Sequence, residues 1–203
     1  MDKTVFDPAA LDPPDRYKLL SGLIVPRPIA WVGTVDAAGR RNLAPFSFFN
    51  MVAGTPPTVI FSPGVRDGVE KDTLANVRAT GEFTVNIVTE KTAQAMNLTS
   101  GSYPPDVDEF ELVGLTALRG EVVAAPVVTE SKANLECRVV RIVDLANPPA
   151  NAVVFGDVVR IHVAGEVLDG TRVVPGRLRA VGRMAGSGYT RTVDGLFEMQ
   201  RPD

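Results

Sequence analysis

This 203-residue chain has only one cysteine, one histidine and one tryptophan. A single thiol, Cys137, excludes an intramolecular disulfide, and so little cysteine fits a reducing, cytoplasmic compartment. With one Cys and one His, no zinc site built on those ligands can form within the chain, so no metal site is expected. Cys137 and His162 both fall in strand-like apolar runs, Leu135–Val143 and Val158–Val163. A cysteine in such a run reads as a small buried hydrophobe. If the chain is an enzyme, a bound organic cofactor is a better source of reactivity than these side chains. Aromatics make up only 6%, and no basic block is interleaved with them, which argues against a nucleic-acid footprint. The net charge is a mild −3. No apolar run approaches the ~20 residues that span a bilayer, so no membrane segment is expected. Met1 to Pro8 lacks the basic-then-apolar order of a secretory signal.

What is present is globular. The chain is 45% apolar and 22% charged, values that fit one packed domain over residues 1–203. A lead-in over 1–16 and an irregular tail over 177–203 flank the patterned part. A short helix is predicted from Pro14 to Ser21, with Gly22 as its stop. Strands are predicted at Ile29–Val35, Asn42–Phe49 and Thr58–Phe61, the first two joined by a hairpin turn over Asp36–Gly39. A helix from about Asp72 to Ala79 ends at Gly81. Phe83–Val88 alternates as a strand. Thr89 caps a short helix from Glu90 to about Leu98, and 100–109 reads as a Gly/Pro/Asp-rich loop. Ala133–Leu145 and Val153–Val167 are long β-branched runs joined by Asn147–Asn151, the pattern of neighbouring antiparallel barrel staves.

Two constellations carry chemistry. In Asn42–Asn50 (NLAPFSFFN), small and proline residues stand where a core strand would carry large apolar ones. Backbone exposed beside Ala44-Pro45 can approach a flat ligand, and Ser47 and Asn50 offer hydrogen bonds at its rim. Ser62-Pro-Gly-Val-Arg66 and Glu70-Lys-Asp-Thr-Leu74 put a hydroxyl, a Gly amide, a guanidinium and an ammonium before a helix start. Helix N-termini favour phosphate, and Arg66 and Lys71 would add charged hydrogen bonds. The alternative is a surface loop with ordinary caps and solvated charges. Asp106, Asp108 and Glu109 read as a solvated loop, Asn86 as a partner of neighbouring backbone, and Trp31 as a core or interface aromatic.

Together, Pro26–Thr34 (PRPIAWVGT), Asn42–Asn50, Lys71–Asn76 (KDTLAN), Gly81–Asn86 (GEFTVN), Glu109-Phe110, Leu135–Arg138 (LECR) and Gly156–Val163 (GDVVRIHV) resemble the flavin reductase-like family with the FMN-binding split barrel. The match runs in order from about Tyr17 to Tyr189. The resemblance implies a mainly β fold, a six-stranded antiparallel split barrel of Greek-key type with a few short helices. It also implies a homodimer with FMN near the subunit interface, and hydride transfer from NADH or NADPH to flavin. Mapped onto this sequence, Asn42, Ala44, Pro45 and Ser47 line the isoalloxazine. Ser62, Arg66, Lys71 and Thr73 are candidates for the phosphate, and Asn76 serves the ribityl chain or its own helix. His162 faces the flavin or nicotinamide, or is simply a hydrogen-bonded strand residue. Arg183–Tyr189 corresponds to a family segment that tends to lie near the cofactor.

No Gly-x-Gly-x-x-Gly fingerprint follows a strand, so nicotinamide would bind transiently against the flavin. Three readings share this pocket: a flavin reductase that supplies a partner monooxygenase, an FMN electron carrier that ignores nicotinamides, and a non-enzymatic flavin-binding domain.

Overall fold

The structure is a computed structural model that describes residues 1–66, 69–146 and 151–202, with Arg66 described by its backbone alone. Its main sheet has seven strands: β1 (Ala30–Val35), β2 (Arg41–Phe46), β3 (Phe49–Gly54), β4 (Pro57–Phe61), β5 (Glu82–Ile87), β6 (Ala133–Leu145) and β7 (Asn151–Val163). The spatial order is β2-β1-β5-β6-β7-β4-β3, and every neighbouring pair is antiparallel. The two edge strands, β2 and β3, follow each other in the chain, with only Ser47 and Phe48 between them. The sheet therefore curls so that its two edges are joined through the Ser47-Phe48 link, a seam that no ladder closes among the described residues. Phe46 at one edge reaches Phe61 of β4, ring centroids 5.3 Å apart, and Phe61 reaches Phe83 of β5 at 5.1 Å. Aromatic contact from the edge strand β2 to the interior strands β4 and β5 supports the curl.

The expected six strands are corrected to seven, and the barrel is not closed. Asn42–Phe49 is not one strand: the chain turns at Ser47-Phe48 and starts β3 at Phe49. β3 gave no alternating signal because most of its residues, Met51 and Val52 among them, face outward. The run expected at Val153–Val167 stops as a strand at Val163, and Gly165–Val167 forms one 3-10 turn. The loop predicted at Asn147–Asn151 lies outside the described residues for 147–150.

Alternation along the strands sorts two cores. Ala30, Val32, Phe46, Val59, Phe61, Phe83, Val85, Cys137 and Val154 point inward, and Leu74 and Val77 of α2 (Asp72–Thr80), after α1 (Pro13–Leu23), plug one mouth. Trp31 and Leu43 point outward beneath Met96 of α3 (Ala93–Leu98), Phe110 of α4 (Glu109–Leu112) and Val181. α2 stops at Gly81, whose φ of 70° suits a residue without a Cβ. Gly33 of β1 lies so close to the Pro126 carbonyl and the Thr84 hydroxyl that an added Cβ would collide with both. Three local expectations shift. Gly22 lies inside α1, which is closed by Ile24 instead. α3 begins a turn late because the Thr92 hydroxyl accepts the Thr89 N–H at 3.0 Å. The tail is irregular only in part, since Val181–Arg183 pairs with Tyr189–Arg191 beyond the short α5 (Pro175–Leu178).

One buried side chain fastens the seam. The Arg27 guanidinium donates to the carbonyls of Ser21 (2.6 Å) and Ile24 (2.7 Å) at the end of α1. It also donates to the Ser47 hydroxyl at 3.3 Å and to the Met184 carbonyl of the tail hairpin at 3.1 Å. A cation at a helix C-terminus complements the helix dipole, which offsets part of the cost of burying it.

Candidate functional site

A cavity of about 440 Å³ opens where β2, the start of α2 and the loop after α3 meet. β2 is an edge strand, so its backbone and small side chains are free of a neighbour on one side. Asn42, Ala44 and Pro45 form that wall, and Lys71, Asp72 and Thr73 form the second. The third wall is Ser100, Gly101, Ser102 and Tyr103. The Tyr103 hydroxyl donates to the Leu98 carbonyl at 2.9 Å, which holds the ring over Gly101.

The floor is a chain of buried polar groups. Glu109 of α4 accepts the Asn42 amide N–H at 2.9 Å through one oxygen and the Leu43 N–H at 3.0 Å through the other. The Asn42 Oδ1 accepts the Thr73 hydroxyl at 2.8 Å and, more weakly, the Thr34 hydroxyl at 3.5 Å. Asn76 donates to the Thr34 hydroxyl at 3.0 Å. Burial pushes the Glu109 carboxyl above its ordinary range; the Leu43 N–H and its own N–H pull it back, while Asp72 and Asp108 push it further up. Glu109 is therefore not part of a solvated loop as expected. Asp108 instead caps α4 through the Phe110 N–H (2.9 Å) and pairs with Arg41 at 2.5 Å.

α2 begins without a side-chain cap, and its cap position is Lys71. The first amides of a helix have no partner within it, so this end offers N–H groups and a partial positive charge. The Lys71 ammonium lies 5.6 Å over the Phe46 ring. The chemistry graded across the cavity is thus apolar at Ala44-Pro45, mixed in charge at the α2 start, where Lys71 and the first helix amides stand beside Glu70 and Asp72, and hydroxyl-rich at 100–103. That set suits a ligand with a flat ring at one end and an anion at the other.

Of the residues expected from the sequence, Asn42, Ala44, Pro45, Lys71 and Thr73 come together here. Ser47 does not; its hydroxyl accepts from Arg27 at the seam. Ser62 does not line the cavity, and its N–H holds the Phe48 carbonyl at 2.9 Å. Asn76 is turned into the floor network rather than to a ligand. The Arg66 side chain lies outside the described residues. Trp31 is fully buried and donates to the Thr99 hydroxyl at 2.9 Å, a core role. Asn86 donates to the Trp31 carbonyl at 2.9 Å and accepts the Val128 N–H at 2.8 Å, as a backbone partner should. No residue of the tail segment Arg183–Tyr189 lines the cavity; Arg183 stacks on Tyr189 at 4.5 Å, and the Tyr189 hydroxyl donates to the Asn97 side chain of α3 at 3.2 Å. The Ser100–Tyr103 wall was missed, although a Ser-Gly-Ser-aromatic run is the composition of an adaptable binding loop.

Within one chain His162 takes the second of its two expected places, a hydrogen-bonded strand residue. It sits on β7, four strand spacings from β2, about 19 Å along the sheet. Its Nε2 meets Glu136 at 2.6 Å. Glu136 is wholly buried and also accepts the N–H groups of Glu121 (2.9 Å), Val122 (2.8 Å) and Val123 (3.0 Å). Burial raises the Glu136 pKa, but His162 and the three N–H groups outweigh it and leave the carboxyl below its ordinary value. Within one chain His162 belongs to this clasp and not to the cavity. Among the described residues no cluster of three or more His, Cys, Asp or Glu side chains can hold a metal, and no helix is long and apolar enough to cross a membrane.

Residues 21–180 match the family described as flavin reductase like domain. The chain belongs to the flavin reductase-like family. Its fold is close to nitrilotriacetate monooxygenase component B from Bacillus cereus, with a TM-score of 0.95 and 36% identity over 98% of this chain and 100% of that one. A 2-nitrobenzoate 2-nitroreductase from Pseudomonas fluorescens superposes with a TM-score of 0.89 at 29% identity, covering 98% and 96% of the two chains. A split barrel domain from Shewanella frigidimarina shares the fold at a TM-score of 0.82 and 24% identity, covering 97% and 96%. This flavin reductase-like chain is accordingly a mainly β split barrel with a few short helices.

Proposed function

We propose that the protein is an FMN-dependent oxidoreductase that passes hydride from NADH or NADPH to flavin and hands reduced flavin to a partner monooxygenase. The observation that carries this reading is the cavity whose apolar wall at Ala44-Pro45 lies beside the uncapped, lysine-flanked start of α2. The residues fit FMN: Lys71 and the first amides of α2 would hold the phosphate, with Arg66 as a further candidate, and Ala44-Pro45 would let the ring approach backbone closely. Bound FMN supplies the ring that accepts and returns hydride. The chain's own contribution is to orient that ring, to exclude water with the Tyr103 wall and to leave one ring face open to nicotinamide. No general acid is needed for hydride transfer, consistent with a site that holds no histidine of its own chain. The Bacillus cereus relative supports the monooxygenase partnership.

The working unit in this reading is a cytoplasmic homodimer of single-domain chains. α1 buries only Ser21 and exposes Tyr17, Leu20, Leu23 and Ile24, next to exposed Phe48, Met51 and Val52. Such an apolar face suits a second copy, and any place for His162 at the cavity would need that second chain. The deciding experiment is the visible spectrum of FMN-loaded protein before and after anaerobic NADH or NADPH, with mass by light scattering alongside. Flavin absorbance bleached by nicotinamide supports the reading. Bleaching only by dithionite would leave an electron carrier or a storage domain in its place.

A further inference from the structure

We propose that Glu109 is a positioning residue that sets the hydrogen-bond polarity of the cavity floor, so that the Thr73 hydroxyl faces the ligand as an acceptor and not as a donor. The inference rests on the flavin reading and deepens it. Both Glu109 oxygens accept, one from the Asn42 amide and one from the Leu43 N–H. A carboxylate has no proton to give, so the Asn42 amide must direct Nδ2 toward Glu109 and Oδ1 away from it. That Oδ1 then takes the Thr73 hydroxyl hydrogen at 2.8 Å. A threonine has one hydroxyl hydrogen, so Thr73 has none left for a phosphate. The start of α2 offers an anion its main-chain N–H groups and Lys71, while the Thr73 side chain, expected from the sequence to bind phosphate, is held back from it. Asn42, Thr73 and Glu109 all line the cavity and are at most 8% exposed, so water does not readily randomise the chain.

The relay can be reversed without breaking it. In Glu109→Gln the amide oxygen still accepts the Leu43 N–H, and the NH2 faces Asn42. Asn42 then turns over, its Nδ2 donates to Thr73, and the Thr73 hydroxyl is released to donate into the cavity. The change also removes a negative charge from the floor of an anion site. FMN and riboflavin, which differ by the phosphate alone, are the probes, titrated by flavin fluorescence into wild type, E109Q, T73V and the double variant. E109Q should bind FMN about ten- to a hundredfold more tightly, the range for one hydrogen bond to a charged group, with riboflavin affinity little changed. T73V alone should alter the FMN-to-riboflavin ratio by less than about threefold, yet in the E109Q background it should cancel most of the gain. A merely structural Glu109 would lower both affinities together. An E109Q variant that melts as a folded protein with an unchanged or smaller FMN-to-riboflavin ratio overturns the relay and leaves the flavin reading standing. Wild type that takes up neither flavin overturns both.

Discussion

Replacing Glu136 with glutamine should cost the fold about 2–4 kcal/mol, and the geometry says where the cost arises. One oxygen takes the Glu121 N–H and His162, and the other takes the N–H groups of Val122 and Val123. Glutamine has one oxygen, and facing it to Val122 and Val123 keeps two bonds. Its NH2 group then points at the Glu121 N–H, donor against donor in a part-buried contact, and the clash of donors there costs about 1–3 kcal/mol. The two surviving bonds lose a charged acceptor, roughly another 1 kcal/mol. For a chain of this size each kcal/mol moves the melting temperature by about 2–4 °C, so Tm at pH 7 should fall by about 4–16 °C. The pH dependence has a defined sign. The folded carboxyl titrates below its ordinary 4.5, so its stabilisation is complete above that value and disappears as pH falls through the folded pKa. The Tm gap between wild type and E136Q should be full from pH 6 to 8 and narrow below about pH 4.5. Circular-dichroism melts across that range test this. A gap under about 2 °C at pH 7, or one that widens on acidification, would refute the reasoning.

Gly33→Ala should destabilise by at least about 3 kcal/mol in urea unfolding, because the new Cβ meets the Pro126 carbonyl, which is backbone and cannot swing aside. Cys137→Ala should keep flavin binding and turnover at about 1 kcal/mol of stability: the thiol is wholly buried and burial pushes its pKa far up, so no thiolate is available for chemistry. Loss of turnover with the fold intact would show thiol chemistry after all. Trp31→Phe should cost about 1–3 kcal/mol by denaturation, from the lost bond to Thr99 and the smaller ring, with flavin affinity held within a few-fold.

The parts of the fold legible in the sequence are those whose cause is local. Ala133–Leu145 was readable to the residue because a β-branched run has one favoured conformation, and α2 was readable because Gly81 ends it. Asn42, Ala44, Pro45, Lys71 and Thr73 could be named because their oddity, small or cationic groups beside an edge strand or a helix start, shows in the chain itself. β3 could not be read, since a strand that faces outward shows no core periodicity. Glu109 looked like one more loop acid because its partner Asn42 is 67 residues away. The partner of His162 was hidden for the same reason: Glu136 lies 26 residues back, and the amides of 121–123 that hold it carry no sequence mark.

Arg27 has a consequence for how the chain can be made. Its guanidinium joins carbonyls of α1 to the Met184 carbonyl, a contact that spans 157 positions. A chain made from its N-terminus presents α1 and the seam 157 positions ahead of the last acceptor. Closing so long a loop is entropically slow compared with winding one helix. Helix α1 can thus wind long before it is fastened, and the guanidinium waits for its fourth partner until the hairpin at 181–191 arrives.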